Sequence, residues 1–397
     1  MPITSADSML PVPDAHQRAH SEAVLAGFRQ RLAAAGGWLP FEAWVQHALY
    51  APGLGYYSAG ARKFGAGGDF VTAPELSPLF AGCIAQQFAA VRPGETILEL
   101  GAGSGALAAD LLWRLHSLQA LPQQYLILEV SADLRERQRQ RIAQLPVQLA
   151  SRVQWLDGLP TELLSGLIVA NEVADALPFR RVRLTLAGWL ELGVTVGDAG
   201  ALRIEERTPE DALNSELQRL FGTRPHSTLP EGYTTDICVA AGAWLASVAE
   251  VLRQGAMLLF DYGLSRGELY HPSRSAGTLR CHYRHRAHDD PFLYPGLTDI
   301  THWVDFTRLA EAASDAGLEV SGYCTQAAFL LAAGLERELA DAVAAAPTPQ
   351  RAAARRGEAQ RLLLPGEMGE TFKALLLTRG STQPWSGFAL QDLRRLL

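Results

Sequence analysis

The hydrophobic and polar positions of residues 97–112 predict a strand, a turn and a helix in succession. The apolar residues before Gly101 enclose one carboxylate, as in a short buried strand, and the residues after Gly105 have the apolar spacing of an amphipathic helix. Between them stand three alternate glycines. Gly101 would permit the sharp turn, Gly103 would let a ligand approach the backbone, and Gly105 would allow a tight helix–strand contact. We therefore predict a strand-turn-helix that presents free amide N–H groups to a cofactor.

The same kind of pattern continues along the chain and predicts an alternation of strands and helices. Apolar runs of strand length are followed by longer stretches with helical spacing. The further predicted strands are residues 125–130, 153–158, 166–172, 256–261, 318–323 and 372–378. The predicted helices are residues 22–35, 41–50, 131–145, 237–253 and 303–316, with more within 332–361. This order is typical of an α/β fold with a doubly wound sheet.

A β-rich insertion is predicted after the strand at 166–172. Residues 181–196 alternate between apolar and polar positions around a turn at Ala187 and Gly188, which indicates a hairpin. Together with residues 201–206, this hairpin predicts an insertion at about 181–236.

A second insertion is predicted at about 264–300, and it is rich in cations. Three histidines and three arginines lie within residues 280–290. They favour either a loop that binds an anion or substrate or a solvated run of charge, and they lack the spacing of metal ligands. We predict an N-terminal helical and lid segment at 1–92, of which residues 1–20 are polar and without a regular element, and a core with both insertions at 93–397.

Two glycine-rich and aromatic stretches precede the core. Residues 52–57 and 65–75 concentrate glycines, aromatic side chains and polar groups outside any periodic element. Such composition favours a lid or ligand-clamping segment, and the alternative is a flexible connector.

The glycine turn by itself does not decide which cofactor binds. Gly101, Gly103 and Ala106 also fit the dinucleotide pattern. Glu99 favours another ligand, because its carboxylate would repel a pyrophosphate but suits the ammonium and sulfonium of S-adenosylmethionine. We predict S-adenosylmethionine over a dinucleotide or a purely structural turn.

Polar side chains at the ends of the next strands supply further candidates. Glu129 is placed to accept both ribose hydroxyls, although it also fits a helix-entry charge before Ser131. Asp157 would accept the adenine amino group, or belongs simply to an Asp-Gly turn. Asn171 and Glu172 would point into the crevice at the carboxyl ends of the strands, or would cap the helix that follows.

Composition narrows the class of protein. The 397 residues are 48% hydrophobic and 19% charged, which is enough to bury a large core, and the net charge of −7 argues against a broad nucleic-acid surface. The four cysteines form no C-x-x-C pair, so neither zinc nor a disulfide framework is expected. The N-terminus lacks a signal-peptide pattern and no apolar stretch reaches 18 residues, so we expect a cytoplasmic protein without membrane insertion.

Six motifs, in order from about residue 40 to 380, resemble those of the MidA family, whose mitochondrial members are complex I assembly-factor methyltransferases. The motifs are Ala-Leu-Tyr-Ala-Pro-Gly-Leu-Gly-Tyr-Tyr at 48–57, Gly-Asp-Phe-Val-Thr-Ala-Pro-Glu at 68–75, Glu-Leu-Gly-Ala-Gly-Ser-Gly at 99–105, Asn-Glu-Val-Ala-Asp-Ala-Leu-Pro at 171–178, Asp-Tyr-Gly at 261–263 and Pro-Gly-Leu-Thr-Asp-Ile-Thr-His-Trp-Val-Asp-Phe at 295–306.

This resemblance implies a class I S-adenosylmethionine-dependent methyltransferase. Such a fold has a Rossmann-like, seven-stranded sheet whose last strand is antiparallel, with residues 318–323 and 372–378 as strands six and seven. The resembling mitochondrial proteins methylate an arginine of a complex I subunit, which implies an arginine-bearing protein substrate. Asn171 stands where we expect histidine in those members, so the substrate itself is left open.

Methyl transfer is an in-line displacement, so the protein must hold donor and nucleophile together and exclude water. For an arginine acceptor, carboxylates would bind the guanidinium through bidentate hydrogen bonds, with Glu172 and Asp175 best placed and Glu75 on the lid as a third candidate. The alternatives are a methyltransferase acting on a small molecule or nucleic acid, and an assembly factor that binds the cofactor without turnover.

Overall fold

The computed structural model describes residues 10–59, 71–92, 94–380 and 383–397. The helices are α1 (Ala15–Ala34), α2 (Phe41–Tyr50), α3 (Ala73–Leu76), α4 (Pro78–Val91), α5 (Ala106–Ser117), α6 (Ala132–Ile142), α7 (Val147–Ala150), α8 (Asp211–Phe221), α9 (Ala241–Glu250), α10 (Arg266–Leu269), α11 (Phe306–Asp315), α12 (Gln326–Ala332), α13 (Leu335–Ala344) and α14 (Pro349–Leu363). The strands are β1 (Trp38–Pro40), β2 (Thr96–Leu100), β3 (Tyr125–Leu128), β4 (Val153–Leu156), β5 (Leu164–Asn171), β6 (Arg180–Thr185), β7 (Gly188–Val196), β8 (Leu202–Arg207), β9 (Thr234–Ile237), β10 (Leu252–Leu264), β11 (Arg280–Tyr283), β12 (Arg286–His288), β13 (Asp299–Thr301), β14 (Val304–Asp305), β15 (Glu319–Thr325) and β16 (Phe372–Arg379).

The central sheet has the order β15-β16-β10-β5-β2-β3-β4. Strands β10, β5, β2, β3 and β4 are parallel to one another, whereas β16 is antiparallel to both β10 and β15. The seven strands therefore occur in the order and orientation expected of a class I methyltransferase fold, with the last strand antiparallel. The fold class predicted from the sequence is confirmed.

Helices cover both faces of this sheet. On one face, α4, α5, α12 and α14 pack against residues such as Ile97, Leu167 and Leu258, and on the other, α9 and α11 pack against Leu98 and Ile168. Successive strand residues point to opposite faces, so burial on both sides requires the continuous apolar runs seen in the sequence. Helix α4 precedes residue 93 and yet belongs to this core. The predicted division into segments 1–92 and 93–397 stays a prediction.

The N-terminal segment and both insertions form a second layer of structure. Strand β1 pairs antiparallel with β7 of the first insertion, where Leu39 lies opposite Val194. The second insertion supplies a small sheet of the order β12-β11-β13. Phe28, Trp44 and Ile300 share a buried cluster that joins the N-terminal helices to the second insertion. The cations of 280–290 thus lie largely in a β-hairpin.

Two sequence predictions differ from the structure. Helix α1 begins at Ala15 because Asp14 and Gln17 form a capping box, so residues 15–20 are not without regular structure. The helix predicted over 237–253 is only α9, since Ile237 ends a strand paired with β6 and Leu252 begins β10. At both ends of this second predicted helix, strand pairing with distant residues prevails over the local apolar pattern.

No helix among the described residues has the length and apolarity needed to cross a membrane. Within the same residues, no group of three or more histidine, cysteine, aspartate or glutamate side chains is arranged to hold a metal ion.

Candidate functional site

A cavity of about 610 Å³ opens at the carboxyl ends of the parallel strands. Its walls come from the glycine turn after β2, from the residues after β3 and β5, and from α2, α9 and the second insertion. Eight of the ten predicted site residues line it, namely Glu75, Glu99, Gly101, Gly103, Glu129, Asn171, Glu172 and Asp175. The structure thus brings together residues from four separate parts of the sequence.

The glycine turn uses the left-handed backbone region at every second residue. The φ angles are +62° at Gly101, +53° at Gly103 and +80° at Gly105, a conformation that favours glycine. The tight contact at Gly105 differs from the predicted one, because a Cβ there would lie 3.3 Å from Cγ of Gln138. Gly105 therefore allows the turn to approach helix α6, rather than a strand, and it lies outside the cavity lining.

Gln138 on α6 holds the turn in place and was missed by sequence reasoning. Its side chain is fully buried, and Nε2 donates to the carbonyl of Gly103 at 2.9 Å and to Oε2 of Glu129 at 3.1 Å. Its Oε1 accepts from Nε1 of Trp155 at 2.9 Å. The side-chain amide of Gln138 thus joins the carboxyl ends of β2, β3 and β4. The only sequence signal was an uncharged polar residue on the apolar side of a charge-rich helix.

Replacing Gln138 with leucine is expected to weaken S-adenosylhomocysteine binding roughly 10-fold, because partners orphaned in a buried site cost about 1–3 kcal/mol. The affinity is measured by titration calorimetry. Gln87→Leu is the matched control, since Gln87 is also buried and bonds to Ser386 and Gly387, outside the cavity lining. The control should lower the melting temperature and leave the affinity unchanged. Equal affinities for both variants would contradict the role given to Gln138.

Glu99 and Glu129 line the cavity beside the glycine turn. We call this part the cofactor half, because the sequence predicts that the cofactor binds there. Oε2 of Glu99 accepts from the Tyr125 hydroxyl at 2.7 Å, and burial raises the pKa of Glu99 to about 7. Oε1 of Glu129 accepts from the backbone N–H of Ser131 at 2.9 Å, and Ser131 caps α6. Glu129 therefore contacts the helix entrance and lines the cavity at once, so the two interpretations of this residue are compatible.

Asp157 is not brought to the cavity with the others. Its side chain is 93% exposed and forms an ion pair of 2.6 Å with Arg135. The nearby cavity wall is formed instead by Val130, Leu159 and Trp244, which are apolar or aromatic. The role of Asp157 toward adenine stays a prediction.

Carboxylates gather where β5 ends. Glu172 follows the strand with φ of +54°, and Nδ2 of Asn171 donates to its Oε1 at 3.0 Å. Burial and, to a smaller extent, the charge of Asp261 raise the pKa of Glu172 to about 8. Burial likewise raises the pKa of Asp175 well above its usual range, and the charges of Asp261 and Glu172 add to this. Both side chains face the cavity.

Asp261 and Asp299 belong to the same acidic group, and neither was predicted as a site residue. Asp261 lies near the end of β10, and Asp299 begins β13 of the second insertion and accepts from the Tyr57 hydroxyl at 3.1 Å. Both stand in motifs that carried the family resemblance, which was the available signal. The charges that raise the pKa of Glu172 and Asp175 are those of carboxylates in this group.

Aromatic side chains complete this half of the cavity. The rings of Tyr50 and Tyr57 are stacked 5.5 Å apart, and the Tyr50 hydroxyl donates to the carbonyl of Ala176 at 2.9 Å. Tyr57 comes from the first stretch of the predicted lid, and Thr72 and Glu75 come from the second. The glycine-rich part of that stretch, 65–70, lies outside the described residues.

Glu75 occupies a different part of the cavity from Glu172 and Asp175. The Ser104 hydroxyl of the glycine turn donates to Oε1 of Glu75, and Arg141 of α6 lies 3.4 Å from the same oxygen. Burial raises the pKa of Glu75, and Arg141 opposes this. Glu75 therefore connects the second stretch of the predicted lid to the glycine turn.

The cation-rich hairpin contributes one side chain to the cavity, that of His282. Burial lowers the pKa of His282. Arg280 pairs with Asp289 at 2.5 Å and is half exposed. The hairpin turns at Arg284 and His285, which both have positive φ angles. Part of this run is thus solvated charge, while His282 faces the cavity.

Comparisons with known proteins agree with this geometry. A family model described as "Putative S-adenosyl-L-methionine-dependent methyltransferase" matches residues 79–324. A Burkholderia thailandensis protein crystallised with S-adenosyl-homocysteine is 43% identical, with a TM-score of 0.91 over 98% of this chain and 100% of that one.

Curated relatives give a second line of comparison. The chain is 28% identical to protein arginine methyltransferase NDUFAF7, mitochondrial, of Danio rerio, over 83% of this chain and 81% of the relative. It is 27% identical to the Mus musculus protein of the same name, over 83% and 78%. The predicted family and the predicted cofactor are confirmed by these matches.

Proposed function

Because this chain belongs to the MidA-type family of S-adenosylmethionine-dependent methyltransferases, we propose that it transfers a methyl group to an arginine side chain of a protein substrate. The observation that carries the proposal is the acidic group of Glu172, Asp175 and Asp299, which lines the same cavity as the cofactor turn. The curated relatives, which are named protein arginine methyltransferases, support it.

The cofactor half of the cavity fits S-adenosylmethionine. The turn at Gly101 is closely packed, since a Cβ there would lie 3.0 Å from Cγ2 of Val173, and its backbone can meet a ligand directly. Glu99 and Glu129 place carboxylates on either side of the turn, where they can accept from an ammonium group and from ribose hydroxyls. Bound S-adenosylmethionine supplies an electrophilic methyl group on a sulfonium.

The acidic half of the cavity fits a guanidinium. Buried carboxylates that repel one another are unfavourable until a cation joins them, and a planar guanidinium can donate bidentate hydrogen bonds to two carboxylates. Glu172 and Asp175 would bind its N–H groups and aim one nitrogen at the methyl group. Glu75 is the less suited candidate, because its carboxylate is already bound by Ser104 and Arg141.

The reaction requires no strong base. The nitrogen forms its new bond to carbon as the carbon–sulfur bond breaks and its electron pair passes to sulfur. The methylated guanidinium then releases one proton. Glu172 can accept it, because the pKa of this carboxyl is raised to about 8.

The direct test is to incubate the full chain with tritium-labelled S-adenosylmethionine and an extract of cells that lack this enzyme. We expect the label in protein and, after acid hydrolysis, in methylarginine on chromatography. Label in nucleic acid or in metabolites would contradict the proposal and favour the other methyltransferase classes. A protein that binds the cofactor and labels nothing would instead be a non-catalytic assembly factor.

The cellular location stays a prediction. The sequence predicts a cytoplasmic protein, whereas the curated relatives are named mitochondrial. Fractionation of cells that express the chain would test it.

A further inference from the structure

Asp261 lies directly behind the acidic wall of the cavity. It is 3% exposed and does not belong to the cavity lining. It follows Phe260, which is paired in register with Asn171 of the neighbouring strand. The backbone N–H of Glu172 donates to the carbonyl of Phe260 at 2.9 Å. The end of β10 therefore fixes where the chain leaves β5.

The carboxylate of Asp261 binds the segment after β5 through backbone groups. Its Oδ2 accepts from the N–H groups of Val173 at 3.2 Å, Ala174 at 2.8 Å and Asp175 at 3.3 Å. Its Oδ1 accepts from the N–H of Tyr262 at 2.8 Å. Three successive amide groups thus converge on a single oxygen, an arrangement suited to an anion.

This segment needs a support of that kind. Glu172 has a φ of +54°, a conformation that is strained for a residue other than glycine and persists only where the surroundings impose it. The charges of Glu172 and Asp175 also repel each other in a buried place. Without an anchor, both the strain and the repulsion would be relieved by movement of the segment.

We propose that Asp261 is a positioning residue, which holds residues 172–175 so that Glu172 and Asp175 present their carboxylates to the substrate in one geometry. The inference rests on the proposed function, because it assigns these two carboxylates to the guanidinium. Asp261 itself touches neither substrate nor cofactor. Its charge also reaches both carboxylates through space, so its removal has an electrostatic signature as well as a geometric one.

The test is the full-length Asp261→Asn variant, assayed with tritiated S-adenosylmethionine on the protein band that the native enzyme labels in the cell extract. An amide cannot accept all four N–H groups, so the segment should move, and a displacement of about 1 Å can cost on the order of 100-fold in rate. We expect the rate to fall roughly 10- to 100-fold. The S-adenosylhomocysteine affinity from calorimetry should stay within about threefold.

The pH profile separates positioning from a general loss of structure. Glu172 is faced by the carboxylates of Asp175, Asp261 and Asp299 and by the hydroxyl of Tyr262. Removing the charge of Asp261 lowers the pKa of Glu172, which lies at about 8 in the native protein. The acid limb of the pH–rate profile should therefore move to lower pH in Asp261→Asn. A merely structural defect would not move it.

Asp236→Asn is the matched control. Asp236 is equally buried and also accepts backbone N–H groups, from Thr278 and Leu279, but it lies outside the cavity lining. It should lose thermal stability without a shift of the acid limb. If Asp261→Asn does not fold, Asp261→Ser is used, whose single hydroxyl oxygen can replace only part of the anchor and leaves no charge.

Three results would overturn the inference. They are a native rate in either folded variant, an unmoved acid limb, and a loss of rate that follows the melting temperature alone, as in Asp236→Asn. Failure of the proposed function is seen in a separate experiment. The native enzyme, tested before any variant, would then transfer the tritium label to products other than arginine.

Discussion

Glu172→Gln is expected to reduce methyl transfer by roughly 30- to 5,000-fold, which corresponds to about 2–5 kcal/mol for one desolvated charged hydrogen bond. Glutamine keeps the shape of the side chain and removes the charge that pairs with guanidinium. The cofactor half of the cavity is unchanged, so the affinity for S-adenosylhomocysteine should remain native. Labelling of the acceptor band and titration calorimetry measure the two quantities.

Glu191→Gln is the matched control for this variant. Glu191 is also a buried glutamate, 3% exposed, and it accepts from Arg180 at 2.5 Å in the sheet of the first insertion, away from the cavity lining. It should affect stability and leave transfer intact. A native transfer rate in Glu172→Gln would show that this carboxylate does not bind the substrate guanidinium.

Gly103→Val is expected to abolish cofactor binding, with an affinity for S-adenosylhomocysteine at least roughly 100-fold lower than native. Gly103 has a φ of +53°, and it lines the cavity where the backbone must meet the ligand. A β-branched side chain is strained in that conformation and would stand between the amide groups and the ligand. Calorimetry measures the affinity, and transfer should be lost with it.

The control is Gly317→Val, which imposes the same strain elsewhere. Gly317 has a φ of +75° after α11, and nothing lies within 4 Å of a Cβ built there. This variant should lose stability while binding the cofactor as the native chain does. If both variants bound it equally well, the glycine turn would not be the ligand-binding element.

Local patterns in the sequence were sufficient for much of the fold. The strand, turn and helix at 97–112 were predictable because positive φ angles and apolar periods are properties of neighbouring residues. The hairpin of β6 and β7 followed from alternation for the same reason. The antiparallel last strand and the assignment of strands six and seven came from the family resemblance, since strand direction depends on pairing between distant segments.

The site was only partly accessible from the sequence. Glu129 and Glu172 were found because parallel strands all end at one edge of the sheet. Glu99 was found because a carboxylate before the glycine turn disfavours a pyrophosphate. Asp157 follows the same rule and yet its exposed side chain pairs with Arg135 of α6, whose own side chain is only 19% exposed. A strand end therefore indicates where a side chain begins and leaves its direction open.

Tertiary structure alone decided the electrostatics of the acidic half of the cavity. Asp261 reaches the N–H groups of residues 173–175 across more than 80 positions of sequence, and Asp299 arrives from an insertion. Gln138 joins three strand ends through hydrogen bonds that no local sequence pattern predicts. Burial and the distances between charges set a pKa, and both depend on which distant segments the fold packs together. The sequence determined the chemical groups and the turn that faces the cofactor, and the packing of the strands and insertions determined that four carboxylates share one buried place.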